Sequence, residues 1–289
     1  MALPVKLMIR VLSVWLCLSQ FAGCTNMFFF PQDAWLQTPT DLGYDYENIM
    51  LPMSDGLALN LWYLPGRNSS QSSRGSILFF HGNAENISTH INAVYWFADY
   101  GFDVYLLDYR GYGKSQGWPD LPLVLSDIAE VSEWFLARTP ADRPRVVFGQ
   151  SMGASMAGYV MATRSDIASQ MSLIILESGF ADYRLVARQA LNSSWLTWAL
   201  QYPLSWTVSS RFSLVSVIDQ ISPTPLLIMH GLQDPIVTFE HAEMLSQAAH
   251  APSQLMRYAG GHIAAFTNLE NRKIVIDYIE SKALSVSDR

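Results

Sequence analysis

A serine stands between two glycines in "GQSMG", Gly149 to Gly153, at the end of the apolar run "RVVFGQ". An apolar strand that stops on glycine and passes at once into small, helix-tolerant residues makes a sharp strand-to-helix turn. Such a turn exposes the Ser151 hydroxyl at its apex. The N–H of Met152, at the head of the following helix, then faces the place where negative charge develops when a carbonyl is attacked. These residue types point to nucleophilic chemistry, which requires a base to take the serine proton. The sequence holds 6 histidines: His81, His90, His230, His241, His250 and His262. In strand–turn–helix sites of this kind the acid and then the base follow the serine, which leaves His241, His250 and His262. His241 and His250 fall within or at the end of a predicted helix and read as surface residues. His262 follows a strand and the pair Gly260-Gly261, a loop that lets an imidazole reach over the sheet edge, and is the expected base. His81 and His230 each close a strand ahead of a glycine and read as structural residues.

Two acids compete for the third position. Asp234 follows "PLLIMH" in a turn braced by Pro235, whereas Glu177 ends "SLIILE". A loop aspartate is commonly only a turn residue, but a proline-fixed turn after a buried strand favours Asp234. "FFHGNAEN" supplies the remaining part: His81-Gly82 closes a strand, so the Asn83 N–H turns inward. With the Met152 N–H it makes a two-donor oxyanion site.

All these residues sit where apolar runs end. Short runs rich in branched and aromatic residues predict strands over 57–64, 76–81, 103–108, 145–150, 172–177, 225–230 and 254–259. Runs this apolar suit strands covered on both faces, as in parallel sheets. Helix-length segments lie between them, over 93–100, 123–138, 152–164, 238–249 and 268–284. Strands alternating with helices predict an α/β fold with a mostly parallel sheet, and ligands in such folds bind beyond the carboxyl ends of the strands. One segment, about 181–214, shows no strand and carries Trp195, Trp198, Tyr202 and Trp206, which predicts a small helical cap over the site.

The chain of 289 residues is 50% hydrophobic and 15% charged, well under the roughly 25% charged of an average domain, which fits a large buried sheet. Its net charge is −7 and it has no basic block, which excludes nucleic acid as a partner. No metal-ligand cluster or dinucleotide fingerprint is present in the sequence, so no metal and no cofactor are expected. "GYGKS" is not a phosphate-binding loop, because Asp108 stands where the first glycine is required.

The start of the chain reads as a leader. Lys6 and Arg10 precede an apolar stretch over 11–23, too short for a membrane span of about 20 residues. Both of the 2 cysteines, Cys17 and Cys24, lie in this region, so the body has no disulfide framework. "FAGC" resembles the lipobox of bacterial lipoproteins, with Phe21 where that pattern usually has Leu. The resemblance implies a signal peptide over 1–23, a lipidated Cys24 and attachment to a membrane of the cell envelope. Thr25, in place of an aspartate, points by the same resemblance to the outer membrane. A linker is then expected over 24–43. Asn68, Asn86 and Asn192 each open an N-x-Ser sequon, a chance match in a bacterial lipoprotein. In a eukaryotic secretory protein Asn68 would be the expected acceptor.

"HGNAEN", "LDYRGYGKSQG", "GQSMGA", "HGLQDPIV" and "GGH" together resemble, in order and spacing, the alpha/beta-hydrolase superfamily. They are most similar to its small serine hydrolases of the bud-emergence and serine-aminopeptidase types. The resemblance spans about 44–284, within a hydrolase domain expected over 44–289, and implies a sheet of about eight strands with helices on both faces and a triad of Ser151, Asp234 and His262. It implies cleavage of a small-molecule carboxylic ester or amide through an acyl-enzyme on Ser151. Acyl transfer on the same triad and a non-catalytic binding protein on this scaffold are the alternatives. Asp108 and Arg110 are expected to tie down the loop that follows their strand.

Overall fold

The computed structural model describes residues 28–67, 73–193 and 196–287. The expected leader, Cys24, Asn68 and Trp195 lie outside the described residues. Eight strands form one sheet: β1 (Glu47–Pro52), β2 (Ala58–Leu64), β3 (Gly75–Phe80), β4 (Phe102–Leu107), β5 (Arg145–Gln150), β6 (Leu173–Glu177), β7 (Leu226–Gly231) and β8 (Ser253–Tyr258). Their order across the sheet is β1-β2-β4-β3-β5-β6-β7-β8. β2 pairs antiparallel with both of its neighbours, and every pairing from β4 to β8 is parallel. Seven strands match the expected runs. The eighth, β1, has no run of its own in the sequence reading: four of its six residues are exposed and it is held only by β2.

Period-2 alternation in the parallel strands builds two cores. Leu78 and Phe80 of β3, Val147 of β5 and Ile228 of β7 face one side. They pack there with α1 (Leu121–Arg138), α2 (Met152–Thr163) and α5 (Phe239–Ala248). Ile77, Phe79, Phe148 and Met229 face the other side, against Trp96, Phe97 and α6 (Leu269–Ser287). The helix expected over 93–100 shrinks to a single turn at Trp96–Asp99, preceded by short turns at Ile87–His90 and Ile91–Ala93. Successive strands step to opposite sides of β3, so the chain leaves a crevice at its carboxyl end, where such folds hold ligands.

Two loop residues do what the sequence reading expects. Asp108 accepts the Ile87 N–H at 2.8 Å. The Arg110 guanidinium, buried, grips Asp127 on α1 through two nitrogens and reaches Asp55 at 3.0 Å. These contacts fix the loop between β4 and α1 against the β1–β2 turn and the helix.

The linker expected over 24–43 is instead packed from Phe28 onward. Phe29 is buried, Pro31 bridges to Glu85, and Asn86 Nδ2 donates to the carbonyls of Gln32 and Ala34 at 2.9 and 2.8 Å. Of the three consecutive phenylalanines, Phe29 gains most from burial and Phe28 is half-buried, whereas Phe30 is 61% exposed and is held through its backbone N–H.

The cap comprises α3 (Tyr183–Asn192) and α4 (Gln201–Ser205) with 3-10 turns at Trp198–Leu200 and Leu214–Ser216. Asp182 caps α3, accepting the Leu185 N–H at 2.8 Å. The described tryptophans do not close an entrance: Trp198 and Trp206 are 60% and 68% exposed. His241, expected on the surface, is fully buried at the root of the cap. The Ala181 N–H donates to its Nδ1 at 3.0 Å, and its Nε2 lies 2.9 Å from Gln189 Oε1 on α3. This pairing requires the neutral ring with its proton on Nε2.

Burial pushes the His241 pKa down to about 4. An unfolded histidine titrates near 6.5, so below about that pH the unfolded state takes up a proton that the folded state refuses. The stability that the neutral ring supports is complete above about pH 6.5 and is lost as the pH falls towards 4. Protection of the Ala181 amide from hydrogen exchange, corrected for the intrinsic rate, is expected to fall across that window. In His241→Ala it is expected to be low throughout. A protection factor that stays level in the native protein across the window would show that His241 does not hold the cap root.

Candidate active site

Ser151 joins β5 to α2 with φ 55° and ψ −119°, left-handed backbone that a non-glycine residue adopts only where its surroundings enforce it. Here the enforcement is close packing. A Cβ on Gly149 would lie 2.6 Å from the Ala154 Cα, and one on Gly153 would strike the carbonyl oxygens of Phe80 and His81 at the end of β3. The glycines of "GQSMG" are therefore required where strand and helix meet. The Ser151 N–H is tied to the Glu177 carbonyl at 2.8 Å, which fixes the turn to the neighbouring strand.

His262 reaches Ser151 from the opposite side of the crevice. Its Nε2 lies 2.9 Å from Ser151 Oγ and its Nδ1 lies 2.7 Å from Asp234 Oδ2. The ionised Asp234 carboxylate can only accept, so Nδ1 carries the proton and the Nε2 lone pair faces the hydroxyl. The loop that carries His262 folds back on the end of β7. Gly260 N–H donates to Gln233 Oε1 at 2.7 Å and Gln233 N–H donates to the Gly260 carbonyl at 3.0 Å. A side chain on Gly231 would strike the carbonyls of Gly260 and Gly261.

The Asp234 side chain is fully buried, whereas that of His262 is 13% exposed. Burial pushes the Asp234 carboxyl up. The opposing bonds from His262 and from the N–H groups of Val237 and Ile236, the latter two at 2.9 Å, outweigh it and hold the carboxyl below the usual carboxylate range. His230 is buried beside this turn, with Nε2 2.8 Å from the Val237 carbonyl, in the structural role expected of it.

The rival acid, Glu177, does not touch His262. It is fully buried, and burial pushes its carboxyl above the ordinary value against the bonds it accepts. Those come from Gln150 Nε2 at 2.8 Å, the Tyr258 hydroxyl at 3.0 Å and the Ala265 N–H at 3.0 Å. Glu177 thus binds the residue before Ser151, the end of β8 and the loop after His262 to one another.

Asn83 and Met152 lie at the carboxyl ends of the adjacent strands β3 and β5, on the same side as Ser151. Met152 opens α2, and the first N–H groups of a helix have no acceptor within it. Asn83 is fixed through its side chain, which the sequence reading overlooked. Its Oδ1 accepts the N–H of Phe30 and the hydroxyl of Tyr112, each at 3.0 Å, and the N–H of Ala84 at 2.8 Å. Phe30 belongs to the segment expected as a linker, and its phenylalanine run was the available signal.

Residues 71–213 match the family model of the serine aminopeptidases, a stretch that contains Asn83, Ser151 and Met152 but neither Asp234 nor His262. The chain is 30% identical to the uncharacterized protein YfhR of Escherichia coli over 295 aligned positions, covering 97% of this chain and 98% of that one. It is 32% identical to the alpha/beta hydrolase domain-containing protein WAV2 of Arabidopsis thaliana, over 74% of this chain and 70% of that protein. Among solved structures, the Pyrococcus furiosus esterase Pf2001 superposes with a TM-score of 0.71 at 17% identity, over 88% of this chain and 98% of that one, a likeness of fold. The eight-stranded sheet and the relatives agree: the chain belongs to the alpha/beta-hydrolase superfamily.

Proposed function

We propose that this protein is a serine hydrolase that cleaves carboxylic esters through an acyl-enzyme on Ser151. The observation that carries the reading is the continuous hydrogen-bonded chain Ser151 Oγ, His262, Asp234, with links of 2.9 and 2.7 Å. The Ser151 oxygen attacks the ester carbonyl while its proton passes to His262 Nε2. The carbonyl electrons move onto oxygen, where the N–H groups of Asn83 and Met152 stabilise them. The bond to the leaving alcohol then breaks and the alcohol takes the proton from His262. Water repeats the sequence on the acyl-serine, giving up a proton to His262 and releasing the acid. Asp234 holds the tautomer and balances the charge on the imidazole.

We further infer that Cys24 is lipidated and that the domain faces outward from a membrane of the cell envelope. The support is the leader sequence: charge, a short apolar run, then "AGC".

Three outcomes are expected. Ser151→Ala loses covalent labelling by a fluorophosphonate and turnover of p-nitrophenyl butyrate while keeping its unfolding midpoint; a mutant labelled as fast as the native protein would remove Ser151 from the role. Asp234→Asn lowers kcat by about a thousandfold or more. Glu177→Gln, which sets an amide against groups that already donate, costs about 1–3 kcal/mol of stability and less than about tenfold in kcat. The reverse pattern would make Glu177 the acid. For the anchor, intact mass of the membrane fraction should show a chain that starts at a lipid-modified Cys24, and Cys24→Ser should stay unprocessed. An unmodified N-terminus would refute the anchor.

A further inference from the structure

The cap is an outlier in charge and in surface. From 183 to 217 the sequence holds Arg184, Arg188 and Arg211 and no aspartate, glutamate or lysine, in a chain whose net charge is −7. The same segment exposes Leu196, Trp198, Leu200, Tyr202 and Trp206 at 50% to 68%. Large apolar groups exposed together mark an interaction surface. Tryptophan, tyrosine and arginine side by side are what a lipid headgroup layer selects, because the rings are amphipathic and the guanidinium pairs with phosphate.

The face also has a built cleft. Arg184 and Arg188 from α3 and Tyr202 and Trp206 from the region of α4 line a half-open cleft of about 130 Å³, the scale of a phosphate headgroup. The Arg188 guanidinium stands 5.6 Å from the centre of the Tyr202 ring. Asp182 also borders the cleft, but its carboxylate is engaged by the Leu185 N–H and the Ser213 hydroxyl, at 2.8 and 2.7 Å.

The first described residues lie against the root of the cap. The Phe28 ring packs edge-on against Tyr183, the first residue of α3, at 5.4 Å. Three residues separate Phe28 from Cys24, so the two lie at most about 14 Å apart along an extended chain. A lipid on Cys24 would bring the bilayer to the cap.

We propose that the outer face of the cap docks on an anionic phospholipid bilayer, with Trp198, Tyr202 and Trp206 at headgroup level and Arg184 and Arg188 on lipid phosphate. The docking depends on the anchor reading only for how the molecule is oriented, and it does not depend on the role of Ser151. An anchor alone holds the domain near the membrane on a leash. A docked cap fixes which way the crevice faces, so that an ester dissolved in the bilayer meets the site without crossing bulk water.

The test uses the full chain mixed with vesicles of phosphatidylethanolamine and phosphatidylglycerol that contain brominated phosphatidylcholine, a short-range quencher of tryptophan. The quenched amplitude is expected to fall at least twofold in Trp198→Phe/Trp206→Phe. It is expected to fall at least threefold in Arg184→Gln/Arg188→Gln/Arg211→Gln, with unchanged unfolding midpoints in both variants. Equal amplitudes in the native chain and the tryptophan pair variant overturn the proposal. Vesicle pelleting reads the anchor separately. A chain that pellets while its cap tryptophans stay unquenched keeps the anchor and overturns the docking. Cys24→Ser that no longer pellets but is still quenched at high lipid keeps the docking without the anchor. Shielding of the pair from acrylamide in the absence of lipid, together with sedimentation as a dimer, assigns the face to a second copy and overturns the proposal.

Discussion

A carboxylate buried without a cation is the constraint on which the site depends. Removing an ionised or polar group from water is costly unless every acceptor site is met by a donor. Glu177 satisfies this with three donors drawn from three separate parts of the chain: Gln150 at the end of β5, Tyr258 at the end of β8 and Ala265 in the loop beyond His262. Its own carbonyl takes the Ser151 N–H. The Ser151 turn and the His262 loop are therefore referred to one side chain. Asp234 sets the rotation of the imidazole, while Glu177 sets where the imidazole loop stands relative to the serine. The two acids that competed in the sequence divide the labour of positioning between them.

The Asn83 side of the site is held by a different device. Nothing in the strand order obliges Asn83 to keep its orientation, because it sits in a loop where both Ala84 and Glu85 adopt φ near 58°. Its side-chain oxygen gathers three donors, one of them from the start of the domain and one from Tyr112. The segment around Phe30 is thus a part of the site's scaffold although it lies far from the serine in sequence.

Much of this was legible in the sequence where the physics is local. Central strands covered on both faces need continuous apolar runs, and seven such runs marked seven strands. β1 escaped because an edge strand with one partner buries few side chains and so leaves no apolar pattern. The serine turn was legible because close approach of strand and helix admits only glycine at Gly149 and Gly153. His241 was misread because a polar residue on a helix looks solvent-facing until a second element covers it, and here the root of the cap does so. The tryptophans of the cap were legible as a cluster, but whether they face inward or outward depends on packing between α3 and α4, which no period in the sequence reports. The bonds that Glu177 makes were out of reach because its three partners come from distant parts of the chain.

The docking of the start of the domain on Asn86 bears on how the protein can be produced. Asn86-Ile87-Ser88 is a glycosylation sequon, yet Asn86 is buried and both hydrogens of its amide are given to the carbonyls of Gln32 and Ala34. A glycan would replace one of those hydrogens and fill the groove in which the phenylalanine segment lies. Oligosaccharide is transferred to the chain before it folds, so a eukaryotic secretory host would modify this site while it is still open. The folded domain would then be assembled without its first segment in place, and Asn83 would lose the Phe30 donor that steadies it. A host that does not glycosylate asparagine imposes no such competition between modification and folding.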